Sequence, residues 1–399
     1  MRPEELDFIL SQRGRAVLDE LSAEPLSPDT LLATATRLRE RLEPGPATVA
    51  LEMALLRRRA ARKFSRADRM FFTRAGLEQA TAEAVATHRA RRYATAEIDR
   101  VADMGCGIGG DALALAATGV EVTAIDREWV HAALARENAA AYDVSARVLP
   151  VVADLTEMPP LPVGAFFFDP ARRTATGPRL APGRRLRSVE AYRPPLSLID
   201  VWRPRVPSGA VKVSPGIDYA ELPPDAEVEF VSFDGEVREA VLWFGGLRTS
   251  AARRATLLPG GDTLTDLDPS LIVVGPPRTY LYEPDGAVIR AHLVGQVAHL
   301  LQAALIDPEI AYLTVDNPAA TPFARGYHLE DHFSFQLKRL RTYLRERDVG
   351  TVTIKKRGSP LDVDELRQAL RLRGSNHRTL FLTQVMGRAA VLVGQPLGN

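Results

Sequence analysis

Apolar residues recur at helical spacing through EELDFILSQRGRAVLDEL and LLATATRLRERL, so residues 3–63 read as helices. LEPGP at 42–46 separates two of them, and MALLRRRAARKF continues as a third, basic helix. FFTRAGLEQATAEAVATHRARRYA predicts a loop and then a helix from about Gly76. At Asp99 the period changes. DRVADM reads as a short strand, GGDALALAATG as a helix, VEVTAID as a strand and REWVHAALARENAAAYD as a helix. ARVLPVVAD and VGAFFFDP supply two more strands. Strands alternating with helices at this spacing predict a parallel sheet covered on both faces, and such short apolar runs suit strands buried on both sides. Further on, PPLSLIDVWRP reads as a helix and GAVKVSP as a strand. AEVEFVSF and EVREAVLWFGG form a hairpin turned at Asp234-Gly235.

After Gly246, RRATLLPGGDTLTD reads as a strand with its exit loop. PRTYLYEPDGAVIRAHLVGQVAHLLQAAL gives a strand, a turn and a helix. FSFQLKRLRTYLRERD, VGTVTIKKRG, DVDELRQALRLRG and RTLFLTQVMGRAAVLVGQP then give helix, strand, helix and hairpin. Four segments follow from this pattern. They are an N-terminal helical region over 1–72, a doubly wound α/β domain over 73–260, a connecting α/β segment over 261–324 and a small α/β domain over 325–399.

Composition narrows the classes. At 399 residues the chain exceeds one ordinary core, and 25% charged residues against 46% hydrophobic ones mark a globular protein. No run of about twenty apolar residues could span a bilayer, and no secretory leader is recognisable at the N-terminus, so the cytoplasm is the expected compartment. Cys106 is the single cysteine and the seven His are scattered, which leaves no disulfide and no expected metal site. Charge is uneven: residues 54–93 carry eleven Lys/Arg against three acids, and 325–378 thirteen against seven. Two basic segments could embrace a polyanion, or could be solvated helix faces.

VADMGCGIGGDALALA places a glycine-rich turn between a strand and a helix. Gly105, Gly107 and Gly110 satisfy G-x-G-x-x-G, with Gly109 beside them, so a dinucleotide is one reading. Asp126 ends the next strand, where a carboxylate can accept ribose hydroxyls of either NAD or S-adenosylmethionine. Asp103 separates the two. A buried carboxylate needs a cation; S-adenosylmethionine brings an ammonium and a sulfonium, whereas NAD brings a diphosphate. Asp154 ends the third strand, within reach of an adenine amino group.

D-M-G-C-G-I-G-G-D, A-I-D, V-A-D and F-D-P resemble, in that order, the motifs of class I S-adenosylmethionine-dependent methyltransferases. The D-x-x-C-G-x-G-G form is most similar to the trimethylguanosine-synthase-like RNA branch. The resemblance implies the seven-stranded, Rossmann-like methyltransferase sheet, and S-adenosyl-L-methionine as cofactor. Asp103 and the Gly105–Gly110 loop would hold its methionine moiety, Asp126 the ribose and Asp154 the adenine. It also implies a structured RNA, tRNA or rRNA, as partner. LEQATAEAVATH resembles the helix that covers the cofactor in such enzymes. Residues 325–399 resemble a THUMP-like module, in which Lys355, Lys356, Arg357, Arg371, Arg373 and Arg378 would meet phosphates.

The fourth strand ends in FFFDPARR. Enzymes that methylate exocyclic base amines carry D/N/S-P-P-aromatic here; this chain keeps Asp169-Pro170 and then departs with Ala171-Arg172. DPAR also resembles the uracil-5 RNA methyltransferases, but these need a cysteine nucleophile after the fifth strand, and VKVSPGID has none. What remains is direct transfer to a nitrogen or oxygen, helped by positioning. Asp169 would accept the nucleophile's hydrogen bond, Arg172 and Lys212 would contact phosphate or base, and Glu236 would meet a base edge. The competing readings are a small-molecule or protein methyltransferase, a non-catalytic RNA-binding protein and an NAD-dependent oxidoreductase.

Overall fold

A computed structural model describes residues 1–171 and 189–398. It divides into two compact units, residues 1–226 with 240–249, and 227–239 with 250–399.

The first unit opens with four helices, α1 (Pro3–Leu10), α2 (Gln12–Ser22), α3 (Pro28–Arg41) and α4 (Pro44–Ala60). Prolines begin α1, α3 and α4, where their missing N–H costs nothing, and the Ser11 and Ser27 hydroxyls cap α2 and α3. Ile9, Leu18, Leu21, Leu38 and Met53 enter one apolar core that continues under the sheet. The helix expected from Gly76 is broken into α5 (Arg74–Gln79) and α6 (Glu83–Thr95).

The predicted alternation follows, as β1 (Arg100–Met104), α7 (Gly110–Ala117), β2 (Glu121–Asp126), α8 (Trp129–Ala141), β3 (Val148–Val152) and β4 (Ala165–Phe168). After β4 come α9 (Leu198–Trp202) and β5 (Gly209–Val213). The parallel strands lie in the order β3-β2-β1-β4-β5. Next in the chain are β6 (Glu227–Phe233) and β7 (Glu236–Phe244); residues 240–244 of β7 run antiparallel along β5. All four residues of β4 are fully buried, and glycine at 209 leaves room for the Phe166 ring, which a Cβ there would meet at 2.5 Å.

In the second unit β6 turns into β7 at Asp234-Gly235. Both residues have positive φ, as a two-residue I′ turn requires. β8 (Arg253–Leu258) lies parallel to β6, and β9 (Asp262–Thr265) pairs antiparallel with β8. The expected exit loop is therefore a strand: GGDTLTD is too polar to read as one, yet Leu264 is buried.

The remaining elements are β10 (Tyr280–Pro284), α10 (Gly286–Arg290), α11 (Val294–Leu301), β11 (Ala304–Asp307), β12 (Ile310–Val315) and β13 (Ala324–Ser334). They are followed by α12 (Leu337–Glu346), β14 (Val349–Lys356), α13 (Val363–Leu370), β15 (Asn376–Val385) and β16 (Arg388–Pro396). One sheet runs β11-β12-β10-β13-β16-β15-β14. β13 pairs with β10 on one edge and β16 on the other, so the segment expected to connect supplies three strands of the sheet that the small domain expected from 325 completes.

Candidate functional site

β1 and β4 are register neighbours, Asp103 beside Phe167, and both deliver acids toward the glycine turn. Gly105 (φ +87°), Gly107 (+52°) and Gly109 (+90°) all adopt left-handed backbone. A Cβ on Gly105 would lie 3.1 Å from the Asp169 carbonyl oxygen, whereas one on Gly107 would meet nothing within 4 Å. Side chains are therefore excluded at Gly105 by its conformation and by the approach of β4, and the loop faces open space at Gly107.

Asp126 closes the loop from β2. Its Oδ2 accepts the Gly107 N–H and its Oδ1 the Glu128 N–H, each at 2.9 Å. The His131 Nδ1 lies 3.3 Å from Oδ1. Burial pushes the Asp126 carboxyl up, but His131 and the two amides outweigh it and hold the group below its ordinary value. The same pairing raises His131. Asp154 is exposed and caps the next turn, accepting from the Thr156 N–H at 2.9 Å and hydroxyl at 2.6 Å.

Beside Asp103 the charges form a line. The Lys212 ammonium, buried on β5, donates to Asp169 Oδ2 at 2.7 Å and to the Thr81 hydroxyl at 2.9 Å. Thr81 donates to Asp111 Oδ2 at 2.9 Å, and Asp111 is ion-paired with buried Arg89. The Arg89 guanidinium lies over the Phe167 ring, 4.4 Å from its centre. The greasy run thus braces a buried cation as well as filling the core. Asp169 and Asp111 are each matched to a cation. Asp103, 1% exposed, has no direct partner: neither of its carboxylate oxygens has a hydrogen bond. Burial pushes its carboxyl well up, and the Asp111 and Asp169 charges push the same way, against a smaller pull from Arg89. A buried acid without a direct cationic partner fits a ligand that brings an ammonium. With the open face at Gly107, the residues present fit S-adenosylmethionine.

Several site residues expected from sequence therefore converge in the first unit: Asp103, the Gly105–Gly110 loop, Asp126, Asp169 and buried Pro170. Lys212 joins them, with its ammonium engaged by Asp169 and Thr81. Glu236 belongs to the second unit, where it is exposed and ion-paired with Arg238. Arg172 lies outside the described residues. Thr81, Arg89, Asp111 and His131 were not anticipated; the one available signal was Asp111, an acid directly after Gly110 on an otherwise apolar helix.

Much of the basic charge has internal work. Arg57 donates to the Met70 carbonyl and Lys63 to those of Leu77 and Ala80, while Arg66 pairs with Asp143. Of the cations expected to meet phosphate, Lys355 and Arg357 flank Glu283, and Arg378 pairs with Glu330 at 2.8 Å. Lys356, Arg371 and Arg373 stand exposed. Among the described residues no group of His, Cys, Asp and Glu could hold a metal ion, and no helix is long and apolar enough to cross a membrane.

Comparison with known proteins bears on this geometry. Residues 98–192 match a family model described as RNA cap guanine-N2 methyltransferase, 324–396 one described as THUMP domain-like, and 2–60 a domain of unknown function. The chain is 37% identical, over 352 residues, to an uncharacterized S-adenosylmethionine-dependent methyltransferase of Mycobacterium tuberculosis. That alignment covers 84% of this chain and 92% of the relative. A crystal structure from Porphyromonas gingivalis W83, described as a methyltransferase, matches 98% of this chain and 100% of its own at TM-score 0.73 and 19% identity, a likeness of fold.

Proposed function

Since the chain belongs to the S-adenosylmethionine-dependent methyltransferases, we propose that it transfers the methyl group to a base nitrogen of a structured RNA, tRNA or rRNA. The observation that carries this reading is the strand-end acid Asp169, inside the segment matched by the guanine-N2 model and held at 2.7 Å by the Lys212 ammonium. When bound, S-adenosylmethionine supplies an electrophilic methyl group on a sulfonium. Asp103 would take its ammonium, Asp126 its ribose hydroxyls and Asp154 its adenine edge, with Gly105, Gly107, Gly109 and Gly110 letting the backbone approach.

The protein's part in the transfer is to orient and to desolvate. An exocyclic amine is neutral and has N–H groups to donate. Asp169 accepts one of them, which aims the nitrogen lone pair at the methyl group. A carboxylate already held by an ammonium suits that orienting role better than stripping a proton from a hydroxyl, so nitrogen is favoured over oxygen. Pro170 stiffens the exit of β4, and Arg172 would meet a phosphate. The THUMP-like match and the exposed Lys356, Arg371 and Arg373 support RNA as the partner.

Incubation with tritiated S-adenosylmethionine and total RNA from a strain lacking the gene tests this reading, with nucleoside mass spectrometry to locate the label. The expected product is a nucleoside methylated on a base nitrogen. Label confined to ribose, to protein or to small molecules would overturn the reading.

A further inference from the structure

Thr81 occupies the break between α5 and α6. Ala80 and Ala82, on either side, are in extended backbone, and α6 has no side-chain cap. The break is braced from outside instead. The Lys63 ammonium takes the Leu77 and Ala80 carbonyls at 2.8 and 2.9 Å, closing the C-terminal end of α5. Glu83 accepts from the Ser65 hydroxyl and the Tyr142 hydroxyl, both at 2.8 Å. This bracing fixes a threonine that is 7% exposed, with its carbonyl oxygen 3.6 Å from where a Cβ on Gly110 would stand.

The hydrogen-bond direction at Thr81 is fixed by chemistry. An ammonium has no lone pair and a carboxylate has no proton, so the hydroxyl accepts from Lys212 and donates its single hydrogen to Asp111. The line reads Asp169⁻, Lys212⁺, Thr81, Asp111⁻, Arg89⁺, and each neighbour is matched in sign and in donor or acceptor capacity. Asp111 is the first residue after Gly110, at the start of α7. The line therefore runs from the cofactor loop to the acid at the end of β4.

We infer that Thr81 is a positioning residue that fixes the Lys212 ammonium against Asp169 and ties that pair, through Asp111, to the cofactor loop. The inference rests on the reading of Asp169 as the acceptor of the nucleophile's hydrogen bond. Lysine has four rotatable side-chain bonds, and a single ion pair leaves its head group free to pivot about one oxygen. A second acceptor at 2.9 Å narrows that freedom. Asp169 is then presented in one orientation, as in-line transfer requires.

Thr81→Val preserves shape and removes both hydrogen bonds, whereas Thr81→Ser restores the hydroxyl. The chain has five lysines, so Nζ–H correlation spectra of 15N-lysine-labelled protein are simple, and Lys212→Arg assigns the signal. The expected result is a slowly exchanging Lys212 ammonium signal in wild type and Thr81→Ser, lost in Thr81→Val, with S-adenosylhomocysteine affinity unchanged within about threefold. With RNA saturating, kcat falls ~10- to 100-fold in Thr81→Val while KM holds, and Thr81→Ser recovers to within ~threefold of wild type. A Lys212 signal that survives in Thr81→Val would overturn the inference. So would a loss of kcat accompanied by loss of cofactor binding and not rescued by serine. Failure of the wild-type protein to label RNA would strike the RNA reading instead, and the lysine spectra would still decide the Thr81 link.

Discussion

Asp169→Asn lowers methyl transfer by ~10²- to 10⁴-fold while S-adenosylhomocysteine binds within a few-fold of wild type; this is the expected result of single-turnover transfer and calorimetry on the same preparation. The substitution is nearly isosteric, so the β4 exit keeps its shape. It removes the charge facing Lys212, whose ammonium is 2.7 Å away and buried, and it gives the nucleophile an amide that can point a donor at it. Both changes act on the acceptor's orientation and sign; the glycine loop keeps its place, and Asp103 only loses one of the charges that raise its carboxyl. Turnover within threefold of wild type would remove Asp169 from the reaction. Asp169→Ala is a poorer probe, because it removes the acceptor as well as the charge and leaves the buried Lys212 ammonium with neither, at about 3–5 kcal/mol of stability.

Asp103→Asn is expected to weaken S-adenosylhomocysteine binding by roughly 30- to 150-fold, the ~2–3 kcal/mol of a charge-assisted hydrogen bond in a buried site. The ligand-free variant, however, should be no less stable than wild type, and more stable as pH rises. The sign follows from linkage. Burial raises the Asp103 carboxyl well above its ordinary value in the folded chain. The folded state therefore holds a proton that the unfolded state has released. Wild-type stability declines as pH climbs from the unfolded value, about 3.9, toward the raised folded one, and the asparagine variant lacks that decline. Thermal unfolding against pH, with and without ligand, reads both effects. A variant destabilised at neutral pH without ligand would mean that Asp103 serves the core rather than the cofactor.

Period and motif exposed the sheet because its strands are short apolar runs divided by helices and glycine turns. The acids proposed for the site were legible for the same reason, Asp126, Asp154 and Asp169 standing where an apolar run stops and Asp103 one residue before the end of β1. The charge line was hidden. Lys212 and Thr81 are 131 residues apart, and Lys212 and Asp169 are 43 apart, so no local spacing joins them. The break at 80–82 carries no glycine or proline; it is braced by Lys63, Ser65 and Tyr142 from neighbouring segments. Arg89 read as one more cation in a basic stretch, because its burial depends on the Phe167 ring in β4. β9 was missed because its pairing with β8, and not its own composition, makes it a strand. The change of pattern at 325 agrees with the start of the THUMP-like match at 324, while the three earlier strands that share its sheet left no mark in the local pattern.

Asp103 is the buried site acid without a direct ion-pair partner because the cofactor brings its own cation. Titration of S-adenosylhomocysteine into wild type and Asp103→Asn, in pairs of buffers of different ionisation enthalpy at a series of pH values above the ordinary carboxylate range, tests it directly. The expected result is uptake at one site with net proton release in wild type, and weaker uptake without that release in the variant. No uptake by wild type, or the same proton balance in both proteins, would contradict it.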